Sequence, residues 1–421
     1  MKKIITSLLL VTMLLVSCFS LSSCFLLDAI LESEGGTESG GGSGNDTVIN
    51  VDGGDNYEIN ITPGVSSDIL AASKALLSSV SVFSTFECYQ YGWGGQVSGT
   101  TEKTSAGSGV IYELDKEKGN AYIITNYHVV YESSSVEKNG ISRDIKLFLY
   151  GEEISTSAIS ATYVGGSMQY DLALLKVEAS EVLMKSSAMA ADIADSNGIS
   201  VLEKAIAIGN PEGEGISATV GHVNVDSEYI TILASDNTTY VQLRVIRTDA
   251  AVNSGNSGGG LFNAEGKLIG IVNAKMSDSS IDNIGYAIPS NVVKGVCENI
   301  KAHCVGTDKE SVYKCMLGVT VVAIEQKAVY DTETGRVIKV ERVGVDSLSE
   351  GSAVSELLKK DDIINSITID GVKYDITRLH HVIDSMLYAR VGSVIVINIT
   401  RAGVAQDVII PAIEKMFVEY K

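Results

Sequence analysis

Between residues 66 and 305 the chain is built from short runs in which apolar and polar positions alternate: SVSVFSTF, GSGVIYEL, AYIITNYHVV, DIKLFLY, DLALLKV, KAIAIGN, VQLRVIRT and KLIGIVNA. Many are bounded by Gly, Asn or Asp, and a period of two between turn residues predicts strands. A helix-like stretch, ILAASKALLSSV, precedes them, and no repeated helices separate them. The sheets are therefore expected to be antiparallel and either closed or packed. A second block, 312–415, has strand-like LGVTVVAI, DIINSITI and SVIVINIT, with a helical DITRLHHVIDSML between the last two, and reads as a compact α/β module. The predicted fold class is mainly β.

The pattern at the start of the chain is different. Lys2 and Lys3 precede a largely apolar run over 4–16. That run is shorter than the roughly 20 residues of a spanning helix, so residues 1–24 read as an export signal. Both LVSC and LSSC resemble the lipobox of bacterial lipoproteins, in which a small residue precedes the cysteine that is lipidated. Using Cys24 leaves Cys88, Cys297, Cys304 and Cys315, an even number, whereas using Cys18 strands a fifth thiol, which favours Cys24 over Cys18. Residues 25–65 read as a flexible tether, since from Glu32 to about Pro63 the chain is rich in Gly, Ser and acids and poor in apolar side chains.

Composition narrows the function classes. The chain has 421 residues, 45% of them hydrophobic and 20% charged, enough for two or three globular domains. A net charge of −20 repels phosphate backbones and argues against nucleic acid as a partner. Cys297, Cys304 and Cys315 leave a disulfide open but form no CxxC pair, so no metal site and no cofactor is expected.

The candidate chemistry centres on TDAAVNSGNSGGGLFN, residues 248–263. An unassisted hydroxyl is a poor nucleophile at neutral pH and needs a base. His128, at the end of the strand-like AYIITN, is placed to be that base for Ser257. A carboxylate must hold the imidazole in the tautomer that accepts the serine proton, and Asp171, opening the apolar DLALLKV, supplies one. Glycines permit the positive-φ turn that aims backbone amides at a developing oxyanion. The amides of Gly255 and Ser257, with Asn256 between them, are the expected oxyanion hole, and Gly258 and Gly259 let the chain turn away.

With these motifs the sequence resembles the HtrA/Deg serine proteases, trypsin-like double β-barrels followed by a PDZ domain. The resemblance rests on GSGVIY, IITNYHVV, DLALLKV, AIAIGNPEG, ATVGHVNV, TDAAVNSGNSGGGLFN, GKLIGIV and GYAIPSN, in family order. It implies a protease domain over 66–305 with His128, Asp171 and Ser257 as the triad, and a PDZ domain over 312–415. Leu317, Gly318 and Val319 then lie where a peptide C-terminus adds a strand. It further implies unfolded or damaged polypeptides as substrates, a lipid-anchored extracytoplasmic location, and the homotrimer common in that family. Ser254 and Gly260 stand where the family carries prolines, which gives the loop more backbone freedom. Ala251, six residues before Ser257, offers no countercharge to a basic P1 side chain, and Asp249 belongs to the TDAA run. The strand at 269–272 is expected to line the pocket and pair with substrate. His380 and His381 are expected on the groove side and surface of their helix, and His222 and His303 as structural or exposed residues. A non-catalytic, PDZ-bearing adaptor on a relic protease fold is the competing class.

Overall fold

The computed structural model describes residues 66–151, 157–274 and 284–421. The expected signal, Cys18, Cys24 and the tether lie outside these residues. Helix α1 (Ser67–Leu76) opens the described chain, capped by the Ser66 hydroxyl, which accepts from the Ile69 amide at 3.4 Å. It buries Ala71 and Ala75.

Six strands follow: β1 (Ser79–Tyr91), β2 (Val97–Asp115), β3 (Asn120–Thr125), β4 (Asp144–Leu149), β5 (Ile159–Ser167) and β6 (Leu172–Val177). They close into a barrel in the order β1-β2-β3-β6-β5-β4. Short helices α2 (Tyr127–Val130) and α3 (Glu181–Lys185) follow β3 and β6. A second barrel takes β7 (Lys204–Gly209), β8 (Ser217–Leu233), β9 (Tyr240–Thr248), β10 (Gly260–Phe262), β11 (Leu268–Val272) and β12 (Gly285–Pro289), in the order β10-β11-β12-β9-β8-β7. The mainly β, chymotrypsin-like double-barrel architecture read from the sequence is the one observed.

Each barrel fills its interior with alternate residues and turns the others to a shared layer. On β3, Ala121 and Ile123 pack inside the first barrel with Val80, Val82 and Leu175. The neighbouring Ile124 joins a cluster with Leu172 and Leu174 of the first barrel and Ile206, Ile208 and Phe262 of the second. On β7, Ala205 and Ala207 face the second barrel's interior. Strands buried on both faces read as continuous apolar runs, which is why DLALLKV and KAIAIGN carry so few polar residues.

Helix α4 (Ser290–Cys304), which alternation alone does not predict, lays Val292, Val293, Val296, Cys297 and Ile300 on this cluster at helical spacing. Strand β13 (Val312–Cys315) then leads to β14 (Val319–Asp331), β15 (Arg336–Leu348), β16 (Ile363–Ile369), β17 (Val372–Asp375), helix α5 (Leu379–Ser385), β18 (Val394–Arg401), β19 (Val404–Pro411) and β20 (Phe417–Tyr420). The main sheet runs β14-β15-β16-β18-β19, leaving β14 at an edge, and β20 returns to pair with β13. Helix α5 starts later than the sequence pattern suggests. Asp370 and Gly371, both at positive φ, make a hairpin turn that spends Val372–Asp375 in β17.

The question of a disulfide resolves to thiols: Cys88, Cys297, Cys304 and Cys315 are free and buried. Among the described residues no helix is long and apolar enough to cross a membrane.

Candidate active site

His128 stands in α2, immediately after β3. The Asn126 side chain before it donates to the Asp171 carbonyl at 2.8 Å and so ties that entry to the turn before β6. Asp171 occupies the turn with φ +48, in the left-handed region that a non-glycine residue adopts at a cost. The compensation is visible in its carboxylate contacts. Oδ1 accepts from the His128 amide at 3.0 Å, and Oδ2 lies 2.7 Å from His128 Nδ1 and accepts from Asn273 Nδ2 at 2.6 Å.

Asp171 is 2% exposed. Burial alone raises a carboxyl pKa, but the charge of the His128 ring, its two hydrogen bonds and the Asn273 amide outweigh burial and hold the carboxyl below its ordinary value. The ionised carboxylate accepts a hydrogen bond from Nδ1–H and so keeps the proton on that nitrogen, which leaves Nε2 as the acceptor the chemistry requires.

Ser257 lies in the loop before β10. Asn253 to Asn256 form a turn closed by the Asn256 amide donating to the Asn253 carbonyl at 3.0 Å. Gly255, its third residue, has φ +93, as a type II turn demands. Every carbonyl from 254 to 257 is engaged. That of Ser254 accepts from the Glu212 amide at 2.9 Å, Gly255 from the Ser108 hydroxyl at 2.7 Å, Asn256 from the Gly259 amide at 2.9 Å and Ser257 from the Ser108 amide at 2.8 Å. Because C=O and N–H point oppositely across a trans peptide, these bonds also fix the amides of Gly255 and Ser257. Neither amide donates a hydrogen bond among the described residues. The freedom expected from Ser254 and Gly260 in place of prolines is thus taken up by hydrogen bonds, and Gly260 is paired in β10 with Ile208 and Ile271.

The Ser257 hydroxyl accepts from the Ala274 amide at 3.1 Å and makes no hydrogen bond to the His128 ring. Catalytic hydrogen bonds are often long before substrate binds, and a hydroxyl that accepts from an amide keeps its own proton to donate.

Asp249 Oδ1 accepts from the His222 amide at 2.5 Å, so this acid is engaged with β8. The strand at 269–272 departs from expectation. β11 lies between β10 and β12, and its register on both sides leaves no free edge along Gly270 and Ile271 for a substrate strand. The residues next along the chain instead reach the site, Asn273 through its side chain to Asp171 and Ala274 through its backbone amide to Ser257. Sequence reasoning missed Asn273, Ser108 and Glu212. The only local signal was an Asn ending the apolar IGIV run and a Ser between glycines in AGSG.

In the second block, Leu317, Gly318 and Val319 line a groove of about 410 Å³ whose other wall includes Val382 and Met386. Gly318 has φ +69, and the amides of Leu317 and Gly318 donate no hydrogen bond among the described residues. His380 is not on the groove: it is buried, with the guanidinium of Arg244 nearby, and burial followed by that charge pushes its pKa far down. His381 is packed edge-on against it. His303 packs against the Tyr313 ring, and burial lowers its pKa to about 4. His222 is about half exposed.

The family described as Trypsin-like peptidase domain matches residues 107–271. The chain is 32% identical over 327 residues to "Serine protease Do-like HtrA" of Lactococcus lactis subsp. lactis (strain IL1403), covering 73% of this chain and 74% of that protein. It is 31% identical over 322 residues to the protein of the same name from Bacillus subtilis (strain 168), covering 74% of this chain and 64% of the relative. Over 208 residues it is 36% identical to "Probable periplasmic serine endoprotease DegP-like" of Rickettsia conorii (strain ATCC VR-613 / Malish 7), covering 49% of this chain and 36% of that one. Among solved structures it is similar to "HtrA-type protease AlgW with tripeptide", at 25% identity and a TM-score of 0.50, covering 82% of this chain and 96% of that one.

Proposed function

Because the chain belongs to the HtrA family of serine proteases, we propose that it is a serine endopeptidase using His128, Asp171 and Ser257. The observation that carries this reading is the doubly bonded, buried Asp171–His128 pair, supported by the clamped loop around Ser257. Ser257 Oγ attacks the scissile carbonyl as His128 Nε2 takes its proton, forming the C–O bond while the carbonyl oxygen gains charge facing the amides of Gly255 and Ser257. The imidazolium, stabilised by Asp171, returns the proton to the leaving amine, and the C–N bond breaks. A water then repeats the sequence on the acyl-enzyme and frees Ser257.

The second block is a PDZ domain in this reading. An extended peptide C-terminus adds a strand at the β14 edge beside Val319, with its carboxylate on the amides of Leu317 and Gly318. The edge position of β14 and the adjoining groove support that mode. Unfolded or damaged polypeptides are the substrates, and the enzyme works outside the cytoplasm, held to the membrane by a lipid on Cys24, or on Cys18.

One observation favours the adaptor reading: the Ser257 hydroxyl is turned to the Ala274 amide instead of the His128 ring. A fluorophosphonate probe separates the two. Labelling of the wild type and not of Ser257→Ala supports the peptidase. Absence of labelling, with and without a C-terminal peptide, supports the adaptor. Mass spectrometry of the mature N-terminus identifies the lipidated cysteine.

A further inference from the structure

Four polar contacts, two through the side chain and two through the backbone, meet at one buried residue of the GSGVIY run. Ser108, on β2 of the first barrel, is 1% exposed. Its hydroxyl donates to the Gly255 carbonyl at 2.7 Å and accepts from the Asn210 amide at 2.7 Å. Its own amide donates to the Ser257 carbonyl at 2.8 Å, and its carbonyl accepts from the Thr125 hydroxyl at 2.7 Å. Asn210 follows β7 of the second barrel, so this residue bridges both barrels and the loop that carries the nucleophile.

We propose that Ser108 is a positioning residue for the oxyanion hole, an inference that rests on the peptidase reading. The hole's two N–H groups belong to the Ser254–Gly255 and Asn256–Ser257 peptides. The Gly255–Asn256 peptide lies between them, and the Ser108 hydroxyl holds its carbonyl. If that peptide rotates, φ and ψ on either side change and the two amides no longer face one point. In this chain the hydroxyl has more to do, because residue 254 is a serine whose backbone no ring restrains. The outer peptide is set separately by the Glu212 amide on the Ser254 carbonyl. The glycines that pack against this residue admit no side chain of their own. A Cβ on Gly258 would stand 2.1 Å from the Ser108 carbonyl, and one on Gly209 would stand 2.9 Å from the Ser108 hydroxyl.

Removing the hydroxyl in Ser108→Ala leaves the Gly255 carbonyl and the Asn210 amide buried and unpaired, so each seeks a new partner. The contribution is to geometry that matters when charge develops on the substrate oxygen, so the loss falls on kcat. Ser108→Ala is expected to lower kcat on the order of 10- to 100-fold with KM within about threefold. The affinity for a peptide boronate, which places an oxyanion in the hole, should fall in step with kcat/KM, while the affinity for a product peptide is unchanged. Ser108→Cys, close in shape but a weaker hydrogen-bonding group, should fall between the two and serves if the alanine variant does not fold. Ile145→Val in the first barrel's core, which lowers stability at a distance, controls for loss of fold. An unchanged kcat in both Ser108 variants overturns the proposal, as does an equal loss of boronate and product affinity, which would mark a purely structural residue. A wild type that neither labels with fluorophosphonate nor cleaves peptides would defeat the peptidase reading instead, so the two failures are distinguishable.

Discussion

Arg244 of β9 and Asp384 of α5 bring a guanidinium Nη2 and a carboxylate oxygen to 2.7 Å, with side chains only 4% and 13% exposed. The pair joins the second barrel to the 312–415 block, beside a second contact in which Arg378 donates to Asp226 at 2.7 Å. Breaking a buried pair from one side strands a charge, which costs about 3–5 kcal/mol. Asp384→Asn should therefore lower stability in urea unfolding by an amount on that order, whereas the apolar double replacement Arg244→Met with Asp384→Leu should come much closer to wild type. Equal loss in the single and double variants would refute this account of the contact.

The Asp171–His128 pair carries a pH signature. The carboxyl's folded pKa is lowered, so the stability it contributes is present above the unfolded carboxyl pKa of about 3.9 and is lost as pH falls through the lower folded value. Asp171→Asn should remove that acid-side slope and cut kcat by about 10⁴-fold, since the imidazole would then be held in the wrong tautomer. Asn273→Ala, which leaves the pair and deletes one donor, should show a smaller kcat loss on the order of tenfold. Steady-state kinetics and acid unfolding check both, and a kcat within twofold of wild type in Asp171→Asn would contradict the assignment.

Lys314 is buried, donates to the Tyr170 hydroxyl at 2.9 Å, and among the described residues has no carboxylate within ion-pair distance. Burial lowers its pKa to about 8, partly opposed by Asp384. The sign follows from proton counting. Below pH 8 both states hold the proton and the folded state bears the full desolvation cost. Between about 8 and 10.4 the unfolded state binds more protons, so stability rises with pH. Relative to wild type, Lys314→Met should be more stable at pH 7, by up to about 3 kcal/mol, with the difference shrinking as pH approaches 10. A pH-independent difference would argue that packing, not charge, accounts for it.

Gly255 has no substitute in this backbone. An added Cβ would lie 2.2 Å from the Asn210 carbonyl, at φ +93. Gly255→Ala should displace the Ser254–Gly255 peptide and lower kcat about 10²- to 10³-fold, as expected for loss of an oxyanion donor. The rate of fluorophosphonate labelling measures it, and a labelling rate equal to wild type would mean the Gly255 amide takes no part.

His128, Asp171 and Ser257 stand out in the sequence because each sits at the end of an apolar run or inside a glycine turn, and those are local signals. Helix α4 escaped because the pattern of alternating runs assigned nothing to 290–304, although Val292, Val293, Val296 and Ile300 follow a helical period. Asn273 and Ser108 were invisible for another reason. Asn273 ends an apolar run and Ser108 sits between two glycines, and what each does depends on partners 102 and 147 positions away.

The order of turns and strands, the positive-φ glycines around residue 257 and the double-sided apolar strands were all determined by the chain itself, because backbone sterics and side-chain period act over a few neighbours. Tertiary structure decided which of the two apolar faces fills a barrel and which joins the layer between barrels. It also decided that Asp171 meets His128 across 43 residues and that the loop without prolines is held by hydrogen bonds from β2 and the Glu212 turn. Those pairings arise only when both barrels close and pack, since no local preference of the chain specifies which distant amide a buried carbonyl will find.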